Sequence, residues 1–146
     1  MKRYKLPKDI KLFCIDAISF PDGILAAHQK LQSLLETIEN RKFYGISYGT
    51  NEGKVIYKAG VAELFKGEGE KLGCESFIIS KGEYIGETII NWKSDEQIVE
   101  KTFKKLLSDH RRDENGYCLE IYLNENDMRC LVKLNPEKIW RVIIHN

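Results

Sequence analysis

Tyr117-Cys118-Leu119-Glu120-Ile121-Tyr122-Leu123-Asn124-Glu125-Asn126-Asp127-Met128-Arg129-Cys130-Leu131-Val132-Lys133-Leu134 reads as two strands, 117–123 and 128–134, folded together across the turn-forming run Asn124 to Asp127. The same pattern stands 73 positions earlier: the strand-like runs Phe43 to Tyr48 and Val55 to Val61 are joined by Gly49-Thr50-Asn51-Glu52-Gly53. Tyr44 there answers Tyr117, Ile46 answers Leu119 and Asn51 answers Asn124. Upstream of the first hairpin, Ile24, Ala27, His28, Leu31, Leu34, Leu35 and Ile38 form the apolar stripe of an amphipathic helix, with Asp22 placed to cap it. Upstream of the second, Ser94-Asp95 caps a helix bearing Ile98, Val99, Thr102, Phe103, Leu106 and Leu107, and Asp95 again lies 73 positions after Asp22.

Strand character precedes each helix: Lys11 to Ile18 before the break at Phe20-Pro21-Asp22-Gly23, and Ser76 to Ile79 with Glu83 to Ile90, bent at Lys81-Gly82. One offset that aligns a cap, a hairpin and its turn points to internal duplication. The predicted fold is therefore α+β: two tandem βαββ repeats, about 10–62 and 75–134, related by a pseudo-two-fold axis. A glycine-rich linker of about 63–74, with a helical turn near Leu64, joins them, and an extension of 135–146 follows. Helices would cover one face of the antiparallel sheets and a ligand cleft would open on the other.

The 146 residues suit a single domain, and 42% hydrophobic with 31% charged residues is ordinary for a folded chain. A net charge of +1 offers no one-signed field for DNA or an anionic membrane. The basic N-terminus is followed by Pro7, Lys8, Asp9 and Lys11 rather than the apolar run of an export signal, so the expected location is cytoplasmic. Cys14, Cys74, Cys118 and Cys130 lack metal or disulfide-framework spacing. Cys118 and Cys130 could meet across their hairpin, but buried free thiols are the preferred reading. His28 lies on the helical stripe as a packed, hydrogen-bonded residue, and His110 and His145 have no identifiable partner, so neither a metal nor a cofactor is expected.

Chemistry is sought where the repeats differ. Ser47 in the first is answered by Glu120 in the second. Alternation puts Leu119, Ile121 and Leu123 on one face, expected to pack on the helices, and Glu120 with Tyr122 on the other, looking into the cleft. A carboxylate among aromatic rings suits a cationic or hydrogen-bonding ligand, the alternative being a solvated glutamate on the open face of a sheet. Tyr44, Tyr48, Tyr57, Trp92 and Tyr117 are further aromatics, assigned to core or rim before ligand stacking. Lys58 is read as an exposed strand lysine, with a carboxylate partner as the alternative.

The run Gly116 to Leu123, with Gly82-Glu83-Tyr84 upstream and Tyr44-Gly45-Ile46-Ser47 in the first half, resembles the GyrI-like small-molecule-binding domains, related to effector-binding domains of AraC-type and multidrug-sensing regulators. The resemblance spans roughly residues 10 to 134. It implies a cleft for drug-like, apolar or cationic molecules, with Glu120 as polar anchor, Tyr122 beside it and Tyr84 near the bend; Ser47, Tyr57 and Trp92 are secondary candidate contacts outside that carry-over. The short segment before the first strand leaves no room for the helix-turn-helix of some relatives, so direct DNA binding is not expected.

Some relatives hydrolyse strained electrophiles. By that resemblance Glu120 would be the general base and Tyr84 or Tyr122 an oxyanion donor, but a lone carboxylate with no nucleophile-base pair favours binding over catalysis. The family name also implies a gyrase-modulating interaction as a further alternative, for which the sequence shows no docking surface. The apolar Ile139, Trp140, Val142, Ile143 and Ile144 are expected to pack on their own domain, the alternatives being an added edge strand or a homodimer contact.

Overall fold

Both predicted hairpins form, and the residues around them divide into two packed units. The computed structural model describes residues 1–95 and 97–139. In chain order the elements are β1 (Lys2–Leu6), β2 (Ile10–Asp16), α1 (Ile24–Ser33), β3 (Phe43–Gly49), β4 (Val55–Ala62), α2 (Glu68–Lys71), β5 (Glu75–Ile79) and β6 (Gly82–Ile89). A 3-10 turn at Trp92–Ser94, α3 (Gln97–Leu107), β7 (Cys118–Tyr122) and β8 (Met128–Lys133) follow. Residues 9–80 make the first unit, and residues 1–8 with those from 81 onward make the second.

Within the first unit the strands run β3-β4-β2-β5, every pair antiparallel; within the second they run β7-β8-β6-β1, again antiparallel. The 73-position step seen in the sequence relates the starts of β1 and β5, of α1 and α3, and of β4 and β8. The expected boundaries of the repeats differ from the packed units. β5, read as the opening of the second repeat, pairs with β2, whereas β1, unassigned in the sequence reading, pairs with β6. Between β5 and β6 the chain passes through Gly82 at φ 131°, a backbone conformation that side chains with a Cβ rarely adopt, so the strand breaks there rather than bending.

In each unit the strands bury one face against that unit's helix. Phe13, Tyr57, Ala59 and Val61 close on Ala27 and Leu31 of α1; Ile85, Met128, Cys130, Val132 and Leu134 close on Leu106 of α3. Burying Leu31 or Leu106 contributes about 1.5–3 kcal/mol each. α1 is shorter than its apolar stripe suggested: the helix stops at Ser33, whose hydroxyl bonds back to the Lys30 carbonyl at 2.6 Å, and Ile38 is exposed. Its N-cap is Gly23 and not Asp22, and no side chain caps it. The corresponding Asp95 does accept the Gln97 N–H at 3.2 Å at the start of α3.

The segment expected to be a linker is packed structure. Its helical turn falls at Glu68–Lys71 and not at Leu64, which is exposed. α2 lies so close to β2 that a Cβ on Gly69 would stand 2.3 Å from Phe13 Cβ. Arg41 locks it down, donating from Nη1 to Glu68 Oε2 at 2.9 Å, and from Nη2 to Glu68 Oε1 at 3.0 Å and the Ala62 carbonyl at 3.1 Å. Beyond Asn135 a helical turn begins, and Ile139 packs on the second unit's core; Trp140, Val142, Ile143 and Ile144 lie outside the described residues. Among the described residues no helix is long and apolar enough to cross a membrane.

Candidate functional site

The β7–β8 hairpin sets Cys118 opposite Val132, Glu120 opposite Cys130 and Tyr122 opposite Met128, so these six side chains share one face. That face is the one α3 covers, since Met128, Cys130 and Val132 belong to the α3 core and Cys118 and Tyr122 pack against it. The expected facing is therefore reversed. Leu119 is buried on the opposite face beside Leu131, and Leu123 is exposed. Both faces of the hairpin carry apolar residues, and alternation groups side chains without saying which group a helix will cover. Cys118 and Cys130 share the face but are not directly opposed, and no disulfide joins them.

Glu120 and Tyr122 meet as neighbours two residues apart on one strand, with the Tyr122 hydroxyl donating to Glu120 Oε1 at 2.9 Å. Trp92 presents its ring edge-on to Tyr122, centroids 6.1 Å apart at 64°. The turn carrying Trp92 is tied to the hairpin: its N–H donates to the Asn126 carbonyl at 3.0 Å, and the Asn91 N–H donates to Asp127 Oδ1 at 2.9 Å. Hydrogen bonds from Asn124 and Asn91 hold the Asp127 carboxyl below the usual carboxylate range. Lys93 places its ammonium 5.8 Å from the Trp92 ring centroid. The Trp92 Nε1 is buried and has no hydrogen-bond partner among the described residues. Burial, with a smaller contribution from the Glu120 charge, pushes the Cys130 thiol up, so that neighbour is an unreactive packing group.

The other predicted residues lie elsewhere. Tyr84 is on the opposite face of the second unit's sheet, fully buried, sharing a 2.7 Å hydrogen bond between hydroxyls with Tyr117, with the Lys133 ammonium 5.2 Å from its ring centroid. Ser47 and Tyr57 are register partners in the first unit. Tyr57 is 2% exposed, stacks with Phe20 at 6.1 Å and shares a 2.9 Å hydrogen bond with His28 Nε2. For Lys58 the exposed-lysine reading is overturned and the carboxylate-partner alternative holds: it is 9% exposed, donating to Asp16 at 2.8 Å and to Glu75 at 3.3 Å. Register explains this, because β2 puts Asp16 directly across from Lys58, a pairing invisible until strand partners are known. An open depression of about 500 Å³ in the first unit, lined by Asp16, Ile18, Thr50, Glu52, Lys54 and Val55 among others, contains none of the predicted residues. The Glu120 cluster carries more chemistry, because there a carboxylate is oriented by a phenol and walled by an indole.

No family model and no curated protein matches the sequence. Solved structures do share the fold. An integron cassette protein from the mobile metagenome of Vibrio cholerae, VCH_CASS2, superposes with a TM-score of 0.67 at 12% identity, over 92% of this chain and 95% of its own. A protein designated SAV2435, solved bound to tetraphenylphosphonium, gives 0.67 at 11% identity over 94% and 95%. A hydrolase from Listeria innocua gives 0.57 at 12% identity over 92% and 90%. At such identities the likeness is one of fold.

Proposed function

We propose that this chain is a small-molecule-binding domain of the GyrI-like kind, taking drug-like organic cations against Glu120. The observation that carries the reading is the Glu120–Tyr122–Trp92 cluster: an anionic group fixed by a phenol hydroxyl beside aromatic surface is what a lipophilic cation needs. A shared fold with a protein solved around tetraphenylphosphonium supports the same ligand class. The common 73-position step of strands and helices supports an origin by duplication of one module, with the anchor added where Ser47 stands in the other copy.

Titration with tetraphenylphosphonium should raise the melting temperature in proportion to the logarithm of ligand concentration once sites fill, because a ligand that prefers the native state stabilises by mass action. Glu120→Gln keeps an acceptor for Tyr122 but removes the charge, and should weaken binding roughly tenfold or more, about 1.4 kcal/mol. Trp92→Ala should weaken it as well. Affinity unchanged in both Glu120→Gln and Glu120→Ala would remove Glu120 as the anchor.

Hydrolysis at the same carboxylate, with Glu120 as general base, is the second reading, supported by the Tyr122 hydrogen bond that fixes one carboxylate oxygen, and by the shared fold with a hydrolase. Incubation with strained or ester-like electrophiles would then give many turnovers, reduced about 100-fold or more in Glu120→Gln. Product that never exceeds the amount of protein rules out this reading and leaves binding.

A further inference from the structure

The first unit ends in β5, and among the described residues no strand lies beyond it in the sheet order. The Lys11 carbonyl accepts the Glu63 N–H on the β4 side, so Ile10, Leu12 and Cys14 turn their backbone groups to β5. Their register partners Ile79, Phe77 and Glu75 carry the rungs of that ladder, which directs the N–H and C=O of Ser76 and Ile78 outward. Ile78 is also 54% exposed, on the face it shares with Phe13, where α2 packs. Natural edge strands are usually guarded by charge, proline or a bulge. The corresponding edge strand of the second unit has that guard in Lys2, Arg3 and Lys5, whereas within β5 only Glu75, at its first position, is charged.

We propose that β5 is a self-association edge that pairs antiparallel with β5 of a second copy, about a two-fold axis at Ile78. The strand is self-complementary in that register and in a way a foreign peptide would not require. Ile78 meets Ile78 of the second copy through the outward backbone groups; the two residues that follow β5, before the break at Gly82, extend the register, so that Ser76 meets Ser80 and Glu75 of each chain comes opposite Lys81 of the other, acid against base. Glu75 is held by Lys58 at 3.3 Å yet its side chain remains 74% exposed, so it can serve both cations. The resulting contact is isologous and closed, which gives a dimer and not a fibre.

Sedimentation velocity over a concentration series should show a species of twice the chain mass. Ile78→Lys places two ammonium groups across the axis and should weaken dimerisation roughly 100-fold. Its exposed position leaves the monomer's melting temperature unchanged, a control that separates association from folding. Glu75→Lys and Lys81→Glu should each weaken the dimer, and the double exchange should restore it. A monomer at every concentration overturns the proposal, as does a dimer that Ile78→Lys leaves intact or a double exchange that fails to recover.

Discussion

Replacing Arg41 by methionine is expected to lower the stability of the first unit by about 3–5 kcal/mol, because the change strands a buried carboxylate. The Arg41 side chain is 5% exposed and that of Glu68 11%, and their two-pronged pairing lies beside the Phe13 ring, 5.7 Å from the guanidinium carbon. Glu68 Oε1 also accepts the Leu64 N–H at 3.0 Å, so loss of the guanidinium loosens the whole 63–74 segment. The pair is imperfect, since Arg41 Nε is buried with no hydrogen-bond partner among the described residues. A double replacement, Arg41→Met with Glu68→Leu, should therefore recover most of the loss, because it removes both buried charges together. Urea unfolding at constant m-value reads each step. A single-variant loss below about 1 kcal/mol would show the pair to be effectively solvated. The Arg41 hydrogen bonds hold the Glu68 carboxyl below its ordinary range; that share of stability is present above the ordinary carboxylate pKa and lost as pH falls through the folded value.

Periodicity made the helices and hairpins legible, because each element had to bury a stripe and the stripe is written in residue spacing. Strand partners are not written that way. Glu75 to Ile79 looks like a strand whichever unit it joins, and only the register with Ile10 to Cys14 assigns it. Lys2 to Leu6, by contrast, reads only as a basic N-terminus, assigned to no element. Its strand form depends on pairing with Gly82 to Gly86, although the 73-position step carried back from β5 lands on it and was the available signal.

The site was legible as a pair but not as a constellation. Glu120 and Tyr122 stand two apart on a strand, so alternation alone brings them together, and the structure adds the hydrogen bond. Trp92 joins them through a turn geometry fixed by Asn91 at φ 54° and by Asp127, which spacing does not encode. Tyr84 was grouped with them on resemblance, yet its register partner is Lys133, on the face away from α3. Lys58 is undecided in the sequence for a related reason: a lysine in a strand is exposed by default, and only β2 reveals the acid across from it that makes the carboxylate-partner alternative hold.

Acidification from pH 7 to pH 4 should remove roughly 2–3 kcal/mol from the first unit through His28 alone. Burial lowers the His28 pKa from 6.5 to about 4. An unfolded chain binds the proton near pH 6.5 and the folded one not until about 4, so between those values the unfolded state holds more protons and stability rises with pH. The contribution is thus full above the unfolded value and is lost progressively as pH falls from 6.5 to 4. At 1.36 kcal/mol per pKa unit the shift sets a ceiling of about 3 kcal/mol, and partial solvent access lowers the expected figure. Asp109, held near 2 by Arg111, titrates below this window and is separable from it. Measured as the difference between wild type and His28→Gln, which leaves Tyr57 a hydrogen-bonding partner but cannot charge, urea midpoints should converge between pH 6.5 and 4. Parallel curves across that interval, or a His28 proton resonance titrating near 6.5, would mean that water reaches the imidazole and that the helix stripe does not close over it.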